Sequence, residues 1–424
     1  MSPISRFAVG CLWAAALIAP VHGSDVRPTS VVDLDAATRL ALERSPRLGI
    51  SEANSVAAAG RSSQAEGWTN PIFAVTTDRI GGRGTARKFE SAEVTYSLEQ
   101  SIVWSGAGLA RASSARAEWR AVKHAWGLER ARVRAEVTRD FHALLIAQER
   151  VRASEQAVDL ARETERAAAA RVAAGQVPPL EERKATVSRT EAELSLLEAA
   201  LGRETAAVTL SAHWGEDAPE LIATGVAESL SVLPSWDAYE ARLDRAPGVL
   251  VGVERANATR KLLLAQRLDR LPPITVAAGV TDYRADNERA YVATVELPLP
   301  IWNRGGGAVA EATALLRSAE LETTTIERET RSAARLRWNE ARARREAIDR
   351  FRRESLPASD EARRVAADGY RAGKFSYLEV LDAQRVWLDT RNSYYAALAA
   401  YETAVADLGS LVPQAELEIP EVHE

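Results

Sequence analysis

The chain is almost without thiol chemistry: one of its 424 residues is a cysteine, Cys11. It lies inside an apolar N-terminal stretch, Phe7 to Val21, with more apolar residues after it, a poor place for a lipid anchor. Arg6 before this stretch and Val21-His22-Gly23 as a small-residue cleavage site predict a secretory signal over residues 1–23. At 15 residues the stretch is too short to cross a bilayer as a helix. A mature chain starting at Ser24 has no disulfide and no thiolate metal ligand, which fits a bacterial envelope protein.

Beyond the signal no window of 18 apolar residues occurs, so a transmembrane helix is excluded and any membrane contact must be made by strands. A net charge of −5 and a pI near 5.8 give no footprint for nucleic acid. The basic run "RARREAIDRFRR" at 342–353 has Glu346 and Asp349 interleaved at helical spacing and reads as a solvated helix face. Of five histidines, His22 and His423 are terminal, while His124, His142 and His213 lack a second ligand at HxxH or HxxxH spacing and read as helix-face residues. HExxH, GxSxG and GK[ST] patterns are absent, so Gly81-Gly82 and Gly305-Gly306-Gly307 read as turns. Neither a catalytic residue, a metal site nor a cofactor is expected.

What the chain does have is a repeat. "AGQVPPLEERKA" (174–185) returns as "AGKFSYLEVLDA" (372–383), with Ala174, Gly175, Leu180, Glu181 and Ala185 falling on Ala372, Gly373, Leu378, Glu379 and Ala383 at an offset of 198. Each copy sits between long helical stretches. From Leu109 to Ala174 there is no proline and one glycine, and Val137, Leu144, Val151 and Val158 recur every seven residues with Phe141 beside them, a coiled-coil seam. Leu180, Val187, Leu194, Leu201 and Val208 keep the same spacing after the motif. Gly175 and Gly373 suit the left-handed residue that ends a helix, Pro178-Pro179 can open the next one, and Ser376 can cap it. The repeated segment is a helical hairpin tip. Helices are predicted at 35–67, 109–174, 180–213, 236–270, 308–372 and 376–410, with a kink or break at Pro357.

Two short regions alternate with period two. In "ESAEVTYSLE" (90–99), Val94, Tyr96 and Leu98 oppose Glu93, Thr95, Ser97 and Glu99; in "AYVATVELPL" (290–299), Tyr291, Ala293, Val295 and Leu297 oppose Val292, Thr294 and Glu296. Partners at 71–78 and 273–282 make two hairpins, bracketed by Pro71, Pro272-Pro273, Pro298 and Pro300. Such strands suit an outer-membrane barrel or an ordinary sheet. Four cannot close a barrel, and lipid tolerates no open edge, so a barrel needs further copies: eight strands in a dimer, twelve in a trimer. Glu93, Thr95 and Glu296 then face the lumen. Trp104 and Trp302, again 198 apart, fit either an interfacial girdle or a core between helices.

The order helix, strand pair, long helical hairpin, twice over, and the tip "GKFSYLEVLDAQ" (373–384) resemble TolC-type outer-membrane efflux proteins over about residues 33 to 412. "VELPLPIWNRGGGAVAEA" (295–312) and "SLEQSIVWSGAGLARASSARAE" (97–118) are similar to the cobalt-zinc-cadmium resistance branch. The resemblance implies a mainly α fold with a small β part: an antiparallel coiled-coil α-barrel crossing the periplasm, and four strands per protomer in a twelve-stranded barrel of a homotrimer set in outer-membrane lipid. It divides the chain into the signal (1–23), a first repeat (24–230; strand hairpin 71–99, tip 175–181), a second repeat (231–412; strand hairpin 273–299, tip 373–382) and an acidic tail (413–424).

The implied partners are a periplasmic adaptor, or membrane fusion protein, and an inner-membrane resistance-nodulation-division pump, with divalent metal cations as cargo. An exit duct for drugs or for type I protein secretion, and a soluble periplasmic coiled-coil scaffold, are the alternatives. The resemblance places Gly175, Leu180, Gly373 and Leu378 at adaptor-docking tips. Glu379, Asp382 and Glu181 match acids around the closed aperture. The first tip departs from the pattern with its prolines and with Arg183 and Lys184, which would reach a neighbouring tip acid in a salt bridge.

Overall fold

The computed structural model describes residues 31–81 and 91–412. The expected signal, most of the first strand-hairpin loop and the acidic tail lie outside the described residues. In chain order the elements are β1 (Val31–Val32), α1 (Leu34–Arg44), α2 (Pro46–Glu66), β2 (Ile72–Asp78), β3 (Glu93–Ile102), α3 (Ala107–Ala173), α4 (Pro179–Ser211), β4 (Ile222–Ala223), α5 (Trp236–Glu240), α6 (Pro247–Leu268), β5 (Ile274–Tyr283), β6 (Glu288–Glu296), α7 (Gly306–Arg350), α8 (Leu356–Arg371) and α9 (Tyr377–Leu411).

The helix α3 runs unbroken for 67 residues, about 100 Å at the usual rise. Two predicted helices are divided. The stretch 35–67 breaks at Ser45, which is extended (φ −64°, ψ 120°) ahead of Pro46, and 236–270 breaks at Ala246 (ψ 134°) ahead of Pro247. The cause in both is the clash between a proline ring and the preceding residue, which disfavours helical ψ. The break expected at Pro357 takes the form of a π turn at Phe351–Ser355 just before it. That turn lets Arg352 swing inward, donating from Nε to the Tyr394 hydroxyl (2.9 Å) and from Nη2 to the Glu228 carbonyl.

The strands form one antiparallel sheet in the order β2-β3-β5-β6, so the two hairpins join through β3 and β5. Residues directly opposite share a face. The register therefore places Phe73, Val75, Tyr96, Leu98, Val280, Ala278, Tyr291 and Val295 on one side. Glu93, Thr95, Ser97, Thr281, Thr294 and Glu296 lie on the other. Among the described residues both outer edges, on β2 and β6, are unpaired.

A second, two-residue parallel ladder, β1 with β4, was not expected. Gln148 of α3 holds it from the side, donating to the Ala223 carbonyl (3.0 Å) and accepting from its N–H (2.9 Å). It belongs to the main core, where Val137, Phe141 and Leu144 of α3 pack with Leu398 and Tyr401 of α9 and Ile348 of α7.

Of the α3 seam, Val137, Phe141, Leu144 and Val158 are buried as the spacing predicts, and Val151 is half-buried. The matching stripe on α4 is not. Leu180, Val187, Leu194 and Leu201 are 56–63% exposed, with Leu197 beside them. Heptad spacing marks an apolar stripe but does not say which helix covers it.

Candidate functional site: the hairpin tips

Both tips turn by the same device. At the first, the Gly175 N–H donates to the Val172 carbonyl and the Gln176 N–H to that of Arg171, each at 2.9 Å; at the second, Gly373 donates to Tyr370 (3.0 Å) and Lys374 to Gly369 (2.8 Å). These are Schellman motifs, with the glycines at φ 70° and 72°, where a Cβ is strained. The return helices start differently. Pro179 opens α4, whereas α9 has a full capping box: the Ser376 side chain faces the Glu379 N–H, and the Glu379 carboxylate accepts from the Ser376 N–H at 2.7 Å.

That box gives Glu379 a structural duty. The Ser376 N–H, then its hydroxyl, hold the Glu379 carboxyl below the ordinary carboxylate range. Asp382, one turn on, is exposed and has neither hydrogen bond nor ion pair among the described residues. Glu181 is half-buried, with the Tyr370 hydroxyl 3.5 Å from its Oε2. Leu180 and Leu378 are 61% and 69% exposed. Arg183 and Lys184 are exposed and meet no carboxylate among the described residues.

The two tips are fastened to each other. A small core joins Ala168 and Ala185 of the first hairpin to Ala366, Tyr370, Tyr377 and Val380 of the second. Arg171 lies over the Tyr370 ring at 4.7 Å, Tyr370 meets Tyr377 edge-on at 6.0 Å, and the Tyr377 hydroxyl donates to the Lys184 carbonyl at 3.3 Å. Burial pushes both phenols above their usual pKa, so they remain neutral donors. Arg371 pairs with Glu163 at 2.8 Å, and Gln384 donates to the Ala157 carbonyl at 3.3 Å. None of these cross-links was read from the sequence, although the Tyr370 and Tyr377 pair flanking the glycine turn marks where an aromatic core would sit.

Phe375 packs directly on the backbone of Gly369, where a Cβ would stand 2.1 Å from its Cδ2. Between the tips, Leu180, Arg183, Val187 and Ser188 of α4 and Leu381 of α9 line an open groove of about 360 Å³, apolar at its floor and charged at its rim.

In the sheet, Glu93 pairs with Arg79 at 2.8 Å, and the Thr95 and Thr281 hydroxyls meet at 2.9 Å on the polar face, which also carries Glu296. Trp104 is 54% exposed, its indole donating to the Pro272 carbonyl at 2.9 Å, and Trp302 is 93% exposed; neither lies in a core between helices. Among the described residues no cluster of three or more histidines, cysteines and carboxylates could hold a metal ion, and no helix is long and apolar enough to cross a membrane. His142 is buried beside Glu402 and His213 meets Asp140 at 2.8 Å, so these two are packed partners rather than free helix-face groups.

The chain is similar to the cobalt-zinc-cadmium resistance protein CzcC of Cupriavidus metallidurans, 33% identical over 276 residues that span 64% of this chain and 66% of that one, just under two thirds of its length. It is also similar to the nickel-cobalt-cadmium resistance protein NccC of Alcaligenes xylosoxydans xylosoxydans, 25% identical over 77% of this chain and 73% of that one. Its fold matches the CmeC outer membrane channel of Campylobacter jejuni with a TM-score of 0.75, at 16% identity, over 90% of this chain and 87% of that one. The sequence profile of the outer membrane efflux proteins matches residues 37–216 and 238–412, nearly all of both repeats. With its two-faced sheet joined to long helices, the chain belongs to the outer membrane efflux protein family.

Proposed function

We propose that the protein is the outer-membrane channel of a tripartite efflux system. It works as a homotrimer, receives divalent heavy-metal cations from a resistance-nodulation-division pump through a periplasmic adaptor, and is built from the two repeats 24–230 and 231–412. The observation that carries this reading is the sheet: one apolar face, one polar face and, among the described residues, two unpaired edges and no helix long and apolar enough to span a membrane. Lipid tolerates no open edge, so β2 of one copy pairs with β6 of the next, and three copies give twelve strands. The exposed α4 stripe supports the same assembly. Burying Val187, Leu194, Leu197 and Leu201 of that stripe against a neighbour contributes roughly 4–8 kcal/mol.

Within the trimer the six tips surround the tunnel end. Asp382, without a hydrogen bond or ion pair among the described residues, is the acid available to line the aperture as a ring selecting cations. Glu379 adds charge there while holding its own helix start. Glu181 serves as the acceptor for Tyr370, and Arg183 and Lys184 reach acids of a neighbouring protomer. Gly175, Leu180, Gly373 and Leu378 shape the tip grooves that take the adaptor. In the barrel Glu93, Thr95 and Glu296 face the lumen.

Metal cargo is supported by the relatives' names, both metal-resistance proteins. Deleting the gene and measuring tolerance to zinc, cobalt, cadmium, nickel and copper beside a drug panel tests it. Lost tolerance to metals alone supports the proposal; unchanged tolerance to every metal removes it, and drug sensitivity in its place points to the drug duct. A protein that leaves with the soluble periplasm as a monomer is a scaffold instead.

A further inference from the structure

Where the α6–β5 link meets the β6–α7 link, three arginines line one recess. Arg267, Arg270 and Arg304, with Leu271 and Pro300, line an open surface recess of about 570 Å³. All three are exposed, and none meets a carboxylate among the described residues. Arg270 uses only its Nε–H, on the Arg304 carbonyl at 3.0 Å. The nearest carboxylate in sequence, Asp269, is already taken by Arg111, whose Nη1 lies 2.6 and 2.7 Å from its two oxygens. Three like charges around one recess repel, and no carboxylate among the described residues is paired with them to offset that.

Position sharpens the point. The recess lies at the helix end of the sheet, where Ile102 pairs with Ile274 and the apolar face stops. This is the periplasmic boundary of the membrane. Trp302, 93% exposed, stands two residues from Arg304 in the same link. The corresponding stretches of the first repeat, 65–71 at the α2–β2 link and 103–106 at the β3–α3 link, hold no arginine, so the same junction is built without it in the other half of the chain. Guanidinium groups present paired donors that match phosphate oxygens, and are less strongly hydrated than ammonium groups.

We propose that Arg267, Arg270 and Arg304 form a binding site for a phosphate group at the membrane's periplasmic surface, supplied by an anionic phospholipid headgroup or by free phosphate. The inference rests on the outer-membrane setting of the sheet, and fractionation of the protein with the outer membrane is checked first so that a failure there is told apart from a failure of the site.

The test purifies the full oligomer in mild detergent and measures by native mass spectrometry how much phosphatidylglycerol it retains against phosphatidylethanolamine. Wild type is expected to prefer phosphatidylglycerol, and Arg267→Gln, Arg270→Gln and Arg304→Gln to lower that preference about fivefold each. Arg328→Gln, the same charge change on a distant exposed arginine, leaves it unchanged. Should the triple variant fail to assemble, Arg270→Lys keeps the charge and still loses part of the preference. Displacement of the lipid by millimolar inorganic phosphate shows that the phosphate group suffices; resistance to displacement shows that the whole lipid is held. Equal retention of the two lipids by wild type, or a triple variant as selective as wild type, overturns the proposal.

Discussion

Arg371 and Glu163 lie 208 residues apart in the chain and 2.8 Å apart in space, fastening the second hairpin tip to the first. Both side chains are about half exposed, so the pair contributes about 0–1 kcal/mol to stability. Its effect is on geometry. Glu163→Gln combined with Tyr370→Phe is expected to leave the melting temperature nearly unchanged and to raise single-channel conductance in planar bilayers. Unchanged conductance in the double variant removes the fastening from the account of closure.

The two tip acids of α9 separate by experiment. Glu379→Ala loses the capping box and is expected to cost about 1 kcal/mol. Asp382→Asn touches no contact of the protomer, so stability holds while the preference for cations over anions, read from reversal potentials, declines. A destabilising Asp382→Asn with unchanged reversal potential reverses the assignment.

The Gly369→Ala substitution drives a methyl into the Phe375 ring, which must leave its seat on α8. Gly373→Ala acts differently, straining a left-handed turn by about 1–2 kcal/mol. The first is expected to impair export at normal abundance, because the tip loop changes shape. The second lowers thermal stability. Protease sensitivity near residue 375 together with a melting curve distinguishes them.

Charging the bare stripe tests assembly. Leu194→Asp and Leu201→Asp alter side chains that are 56% and 63% exposed in the protomer, so a lone chain tolerates them. If a neighbour covers the stripe, the pair of substitutions abolishes the heat-modifiable oligomer on gels. An intact oligomer places the stripe outside the interface.

Burial lowers the His142 imidazole below its ordinary value of 6.5, only partly opposed by Glu402 at 3.5 Å. The unfolded chain therefore binds the proton more readily, and stability falls as pH drops below about 6.5. Above that value the imidazole is neutral in both states and the loss vanishes. Melting temperature measured between pH 7.5 and 5.5 should decline in wild type, and more shallowly in His142→Gln.

Much of this was legible because its causes are local. The glycine turn at 175 and 373, the alternation through Val94, Tyr96 and Leu98, and the heptads through Val137 and Leu144 each announce a conformation within a few residues. The breaks at Ser45 and Ala246 are equally local, written in Pro46 and Pro247, but helical composition continues on either side and masks them. The capping box is present as Ser376 and Glu379, three residues apart, and the charge of the glutamate hides its structural role. The clasp of Tyr370 on Glu181, the burial of His142 against Glu402 and the bareness of Leu194 could not be read, since each depends on which distant helix arrives alongside.

The bond between the Thr95 and Thr281 hydroxyls spans 186 residues, and with it the whole seam of β3 and β5. A chain threaded into the periplasm from its N-terminus exposes β3, greasy on one side and bare along its edge, long before β5 has been made. Until β5 follows, that edge of β3 is open to pairing with another chain, so completion of the sheet waits on synthesis of the second repeat.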